Sequence, residues 1–101
     1  MRTSTLIQNG KAVVSLLGRF DFSAHRELRD SCGKLLESSE VRELNLDLGG
    51  VEYMDSSALG MLLLLKERAD AASKRVALQN CQGMVRQVLD IANFGKIFSI
   101  A

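Results

Sequence analysis

The stretch Val41-Arg-Glu-Leu-Asn-Leu-Asp-Leu-Gly-Gly-Val-Glu-Tyr-Met-Asp-Ser-Ser-Ala-Leu-Gly60 carries a strand, a turn and the start of a helix. From Glu43 onward, Leu44, Leu46 and Leu48 alternate with Glu43, Asn45 and Asp47. A period of two sends the leucines to one face of a β-strand and the polar residues to the other. The pattern predicts a strand over residues 41–48 with one packed face and one wetter face. Gly49-Gly50 opens a short loop, and Asp55-Ser56-Ser57 then stands before an apolar run from Ala58 to Leu65. This run predicts a helix from about Ser57 to Ala72, buried all round for two turns. It emerges where Lys66, Glu67, Arg68 and Asp70 enter.

Working outward, residues 4–8 and 11–17 read as two strands joined by Asn9-Gly10. That dipeptide is a strong hairpin signal, because both residues tolerate the positive φ of a type I′ turn. Gly18-Arg19-Phe20-Asp21-Phe22 leaves the second strand, and Ser23 is placed to cap a helix. Ala24, Leu28, Cys32, Leu35 and Leu36 then recur at helical spacing, with His25, Arg26, Glu27, Arg29 and Asp30 between them. Beyond Ser73-Lys74, residues 75–79 read as a strand. Gly83 opens a third helix with Met84, Val85, Val88, Leu89 and Ala92 facing inward, and Lys96 to Ile100 forms a last short strand. The order β-β-α-β-α-β-α-β predicts an α/β fold: a mixed, mostly parallel sheet with an N-terminal antiparallel hairpin.

Composition narrows the function. A chain of 101 residues is the size of one domain, so residues 1–101 are expected to form a single unit. It is 47% hydrophobic and 25% charged, the balance of a soluble globular protein. The 13 Lys+Arg stand against 12 Asp+Glu, and both halves are near neutral, so no basic field points to nucleic acid. Cys32 and Cys81 fall in packed segments without a CxxC pair, and His25 is the only histidine. Buried reduced thiols and no metal site are therefore expected. Neither a signal-peptide core nor an apolar run of about 20 residues is present, so a cytoplasmic protein without membrane insertion is expected.

In an open α/β sheet, ligands and partners gather beyond the carboxyl ends of the strands. Gly18 to Ser23 and Gly49 to Ser57 both land there, with Asp21 and Asp55 at the approaches to helices and Arg19 and Glu52 adding charge. Ser56 and Ser57 stand at a helix mouth whose N–H groups and dipole favour an anion. A phosphoryl group there sits beside hydrogen-bond donors, and brings a charge of about −1.5 to −2 into a patch already holding Asp55 and Asp21. Such a change disfavours an acidic or apolar partner. A plainer reading also fits, in which Asp55 or Ser56 is an ordinary N-cap.

Met54-Asp-Ser-Ser-Ala-Leu-Gly60 resembles the signature of the STAS family, the anti-sigma factor antagonists of bacteria. Gly18-Arg-Phe-Asp21 is similar to the family's turn after its second strand, and the order of elements matches over essentially the whole chain. The resemblance implies that Ser56 is the regulatory phosphoserine, Asp55 the acid shaping the site, and Ser57 the second hydroxyl, normally not the acceptor. It also implies that Asp21 helps form the partner-docking edge. Many members carry Gly where this chain has Ala58, whose methyl is expected at the docking surface, where it bears on partner choice. The implied partners are an anti-sigma factor or related serine kinase, which binds the unmodified form, and a PP2C-type phosphatase. Some relatives instead regulate motility, biofilm or polysaccharide production, or serve as transporter subunits.

Other classes fit less well. A serine hydrolase needs a base within hydrogen-bond reach of its nucleophile, whereas His25 falls on the exposed face of the first helix and no GxSxG elbow is present. Neither a GxxxxGK[ST] loop nor a kinase-type glycine loop occurs, so no cofactor and no enzyme activity are expected. A phosphoaspartate receiver, with Asp47 or Asp55 as acceptor, lacks the paired acids after the first strand. A constitutive adaptor, with the serines serving only the cap, would show no phosphate at all.

Overall fold

The computed structural model describes residues 1–101. Strands β1 (Arg2–Gln8), β2 (Lys11–Phe20), β3 (Glu43–Met54), β4 (Arg75–Gln79) and β5 (Ser99–Ile100) lie in that order in one sheet. Helices α1 (His25–Glu37), α2 (Ser56–Ala71) and α3 (Gly83–Ile91) occupy the connections. Asn9 and Gly10 take φ of 51° and 83°, so the chain reverses in two residues and β1 pairs antiparallel with β2. The other three pairings are parallel. The expected α/β order is the observed one.

The core follows the alternation of the strands. Ala12, Leu44 and Val76 form one row across β2, β3 and β4, and Val14, Leu46 and Leu78 form the next. All six are buried, in one cluster with Leu28, Cys32 and Leu35 of α1, Leu62, Leu65 and Ala69 of α2, and Val85 and Leu89 of α3. Each such leucine contributes roughly 1.5–3 kcal/mol by leaving water. Asn45, expected on a wetter face, is 6% exposed, because β2 and β4 flank it.

Several expected boundaries shift. The second strand does not end at residue 17 but runs through Gly18, which takes φ 103°, to Phe20. Gly49-Gly50 is not a loop; β3 continues through it to Met54. Ser15 pairs with Asp47 and Phe20 with Met54, so β3 carries two more residues than β2 over this span, absorbed as irregularities between Ser15 and Leu17 and between Gly18 and Arg19. Bulges of this kind bend a strand and re-aim the side chains beyond them. Gly50 is needed at the first: a Cβ there would meet Leu17 Cδ2 and stand 3.0 Å from the Leu16 carbonyl oxygen.

The helices also depart from expectation. The first turn after β2 is a 3-10 turn, Phe22–Ala24, capped by Asp21 rather than Ser23. Helix α2 is not buried all round, because an apolar run longer than the buried stripe must place part of itself outside: Ala58, Met61, Leu62, Leu65 and Ala69 face the core, while Leu63 and Leu64 are exposed. Met84 is likewise exposed on α3. The expected last strand, Lys96 to Ile100, is shorter: Lys96 ends a 3-10 turn, Phe94–Lys96, and only Ser99–Ile100 pair as β5.

Candidate functional site

Because Phe20 and Met54 are paired, Asp21 and Asp55 leave adjacent strands at the same edge of the sheet. Both have extended backbone, with φ/ψ of −122°/−170° and −125°/−175°, and each caps the helical turn next to it. Asp21 Oδ1 accepts from the Ser23 N–H at 3.0 Å and from the Ser23 hydroxyl at 2.5 Å. Asp55 Oδ1 accepts from the Ser57 N–H at 3.0 Å and the Ala58 N–H at 3.3 Å. The two caps differ in one respect: Ser23 Oγ is bonded to its aspartate, whereas neither the Ser56 nor the Ser57 hydroxyl makes a hydrogen bond.

Ser56 is the first residue of α2 and is exposed. Asp55, not Ser56, is therefore the N-cap. The carboxylate of Asp55 also occupies the N–H groups of Ser57 and Ala58, so those donors are not free for a second anion, contrary to the expectation of ready donors beside a phosphoryl group. A group placed on Ser56 Oγ adds its charge beside a carboxylate instead. At the neighbouring cap the hydroxyl of Ser23, with its N–H and the nearby Arg19, holds the Asp21 carboxyl below its ordinary 3.8. Arg19 reaches Asp21 Oδ2 at 3.6 Å and lies 4.1 Å over the Tyr53 ring, a cation–π contact that keeps the guanidinium on this edge.

Ala58 corrects an expectation: it is fully buried, so its methyl packs into the core beneath the site and is not at the docking surface. One residue that the sequence did not single out stands beside Ser57. Phe22 is 76% exposed and shares a shallow depression with His25, Ser57, Gly60, Met61 and Leu64. The signal for Phe22 was a large apolar side chain between a capping aspartate and the helix, out of phase with the buried stripe. His25 is exposed as expected, and although it lines the same depression it makes no hydrogen bond to either serine. Cys32 and Cys81 are buried and unpaired, and burial raises both thiols, that of Cys32 to about 12. No group of His, Cys, Asp and Glu side chains converges to hold a metal ion. No helix is long and apolar enough to cross a membrane.

The family model described as Mlab, STAS domain matches residues 4–99. The chain belongs to the STAS family. A STAS-domain containing protein of Pseudomonas aeruginosa (strain UCBPP-PA14) is 41% identical over 88 residues, covering 87% of this chain and 85% of that protein. An anti-sigma factor antagonist from Mycobacterium paratuberculosis superposes with a TM-score of 0.85 at 22% identity, over 97% of this chain and 82% of that one. SpoIIAA, the anti-sigma factor antagonist and cell fate determinant of Bacillus, is similar in both its unphosphorylated and its phosphorylated form. The TM-scores are 0.74 and 0.73, the identities 19% and 21%, and the coverage 98% of this chain with 86% and 90% of SpoIIAA. At these identities the structural likeness establishes the shared STAS fold.

Proposed function

We propose that this STAS protein is a regulatory binding protein of the anti-sigma factor antagonist type, switched by phosphorylation of Ser56. In this reading the unmodified form docks a partner, an anti-sigma factor or related serine kinase, on the edge formed by Asp21, Asp55, Ser56 and Ser57. The observation that carries the reading is the state of Ser56 Oγ: exposed, unbonded, and beside an Asp55 carboxylate that already uses the Ser57 and Ala58 donors. A phosphoryl group, transferred from a nucleoside triphosphate by the kinase, replaces the hydroxyl proton and adds about −1.5 to −2 of charge. With the Ser57 and Ala58 donors taken, that charge stays at the surface and repels an acidic partner without unfolding the module. In a chain of formal net charge +1, it also reverses the overall sign. A PP2C-type phosphatase restores the hydroxyl. The likeness to SpoIIAA, a protein known in both states, adds support. The protein acts as a binder and as a substrate of regulation, not as a catalyst.

The test is a pull-down of Ser56→Ala and Ser56→Asp from the native host, read by mass spectrometry. Ser56→Ala is expected to retain the partner and Ser56→Asp to lose it. Recovery of the same partner in equal amount by both variants would sink the switch.

A further inference from the structure

Helices α1 and α2 lie side by side, and the seam between them is open along their outer side. The groove starts at Phe22, Ser57 and Gly60, passes Leu64 and Leu36, and runs out at Ala71 and Ala72. Its middle part, between Leu28 and Leu36 of α1 and Met61 and Leu65 of α2, holds about 40 Å³. From Ser57 to Ala72 the rise along α2 is about 22 Å, or roughly four helical turns. Leu64 is 46% exposed on its wall, although most of α2's other leucines reach the core.

Two features point to what covers it. Gly33 of α1 and Gly60 of α2 both line the groove, and a Cβ at either position would meet nothing within 4 Å. Glycine inside a helix is less stable than alanine. The fold itself has no steric need for either residue, whereas an element whose backbone must come close does. The charged residues of this middle part are Arg29 and Arg68, beside His25, with no acid among them; Glu37 stands only at the far end. Arg68 makes no ion pair, and Arg29 has only a surface contact to Asp30 at 3.8 Å.

We infer that this groove receives one α-helix of a partner protein, with an apolar stripe facing Leu36 and Leu64 and acidic residues flanking it toward Arg29 and Arg68. A helix satisfies its own backbone groups. An extended segment would not, since helix walls offer side chains and no free ladder of N–H and C=O groups. The inference rests on the proposed switch in one respect: Ser56 precedes Ser57 at the groove's end, so a phosphoryl group there adds negative charge near where an acidic helix docks.

The test is an amide NMR titration of the full chain with two helix-stapled peptides of about 16 residues, roughly four turns. Both carry the same leucine stripe at i, i+3, i+4 and i+7, one flanked by Glu and the other by Lys. The Glu-flanked peptide is expected to shift the amides of Gly33, Leu36, Gly60 and Leu64 and to bind about ten-fold more tightly than the Lys-flanked one. Arg29→Glu combined with Arg68→Glu reverses that preference. Gly33→Ala combined with Gly60→Ala raises the thermal midpoint yet weakens peptide binding, a pairing that a merely structural role does not produce. Equal affinity for the two peptides, no saturable shift, or shifts confined to β1 and β2 would overturn the inference. So would movement of the groove amides on dilution of the chain alone, which identifies a second copy as the occupant. If Ser56→Asp binds the Glu-flanked peptide as tightly as the native chain, the groove stands and the charge switch falls.

Discussion

Phe20 stands opposite Met54 across β2 and β3, although five residues earlier Ser15 stands opposite Asp47. The two extra residues of β3 bring both strands to an end together, so that Asp21 and Asp55 begin their caps side by side. Without those irregularities Asp21 would leave the sheet beside Tyr53, and the two caps would not form one edge.

Gly50 makes this slip possible, and its replacement is expected to be costly. Gly50→Ala brings a methyl against Leu17 Cδ2 and the Leu16 carbonyl, with a loss of about 1–3 kcal/mol, as for other overpacking changes. Gly33→Ala, in open space on α1, is expected to gain about 0.5–1 kcal/mol. Urea unfolding midpoints of the two variants, compared with the native chain, check both signs.

The phase of α2 has its own test. Leu62 is fully buried and Leu63 is 39% exposed, although the two are adjacent in an apolar run. Leu62→Ala is expected to cost about 2–5 kcal/mol and Leu63→Ala less than about 1 kcal/mol. Nearly equal losses, measured by thermal unfolding, would contradict the observed rotation of the helix.

Asp21 gives a pH dependence of stability. Its hydrogen bonds from Ser23 and the neighbouring Arg19 lower its folded-state pKa below the ordinary 3.8. A lowered carboxyl contributes stability that is fully present above the unfolded value and is lost as pH falls through the folded one. Asp21→Asn is therefore expected to be less stable than the native chain at neutral pH. The difference should close in the acid range below about 3.8, as monitored by urea midpoints across pH.

Cys32 acts at the alkaline end. Burial raises its thiol from 9.0 to about 12, so the unfolded chain loses its proton first as pH climbs. Stability is intact below about 9 and falls between 9 and 12, a limb that Cys32→Ala is expected to flatten. At pH 8 a thiol reagent should label the native chain only at the rate at which it opens.

Much of this was legible in the chain itself. Leu44, Leu46 and Leu48 announced β3 by their period, Asn9-Gly10 announced the hairpin, and Asp55-Ser56-Ser57 marked the start of a buried-faced helix. What was not legible was continuation and rotation. A Gly-Gly pair reads as a loop unless a neighbouring strand pairs through it, and β2 does so at Gly50. The run Leu62-Leu63-Leu64-Leu65 cannot state which two face outward, because all four are equally apolar.

By itself the sequence determined the element order, the hairpin, the core stripes and the presence of two aspartates and two hydroxyls at helix starts. These depend on local periods and on short-range cap and turn chemistry, which neighbours in sequence decide. Only the tertiary structure decided that the two caps share one edge, that Ala58 lies beneath it, and that the Asp55 carboxylate holds the donors next to Ser56. Each of these depends on register between strands distant in the chain, and a slip of one residue there re-aims every side chain beyond it.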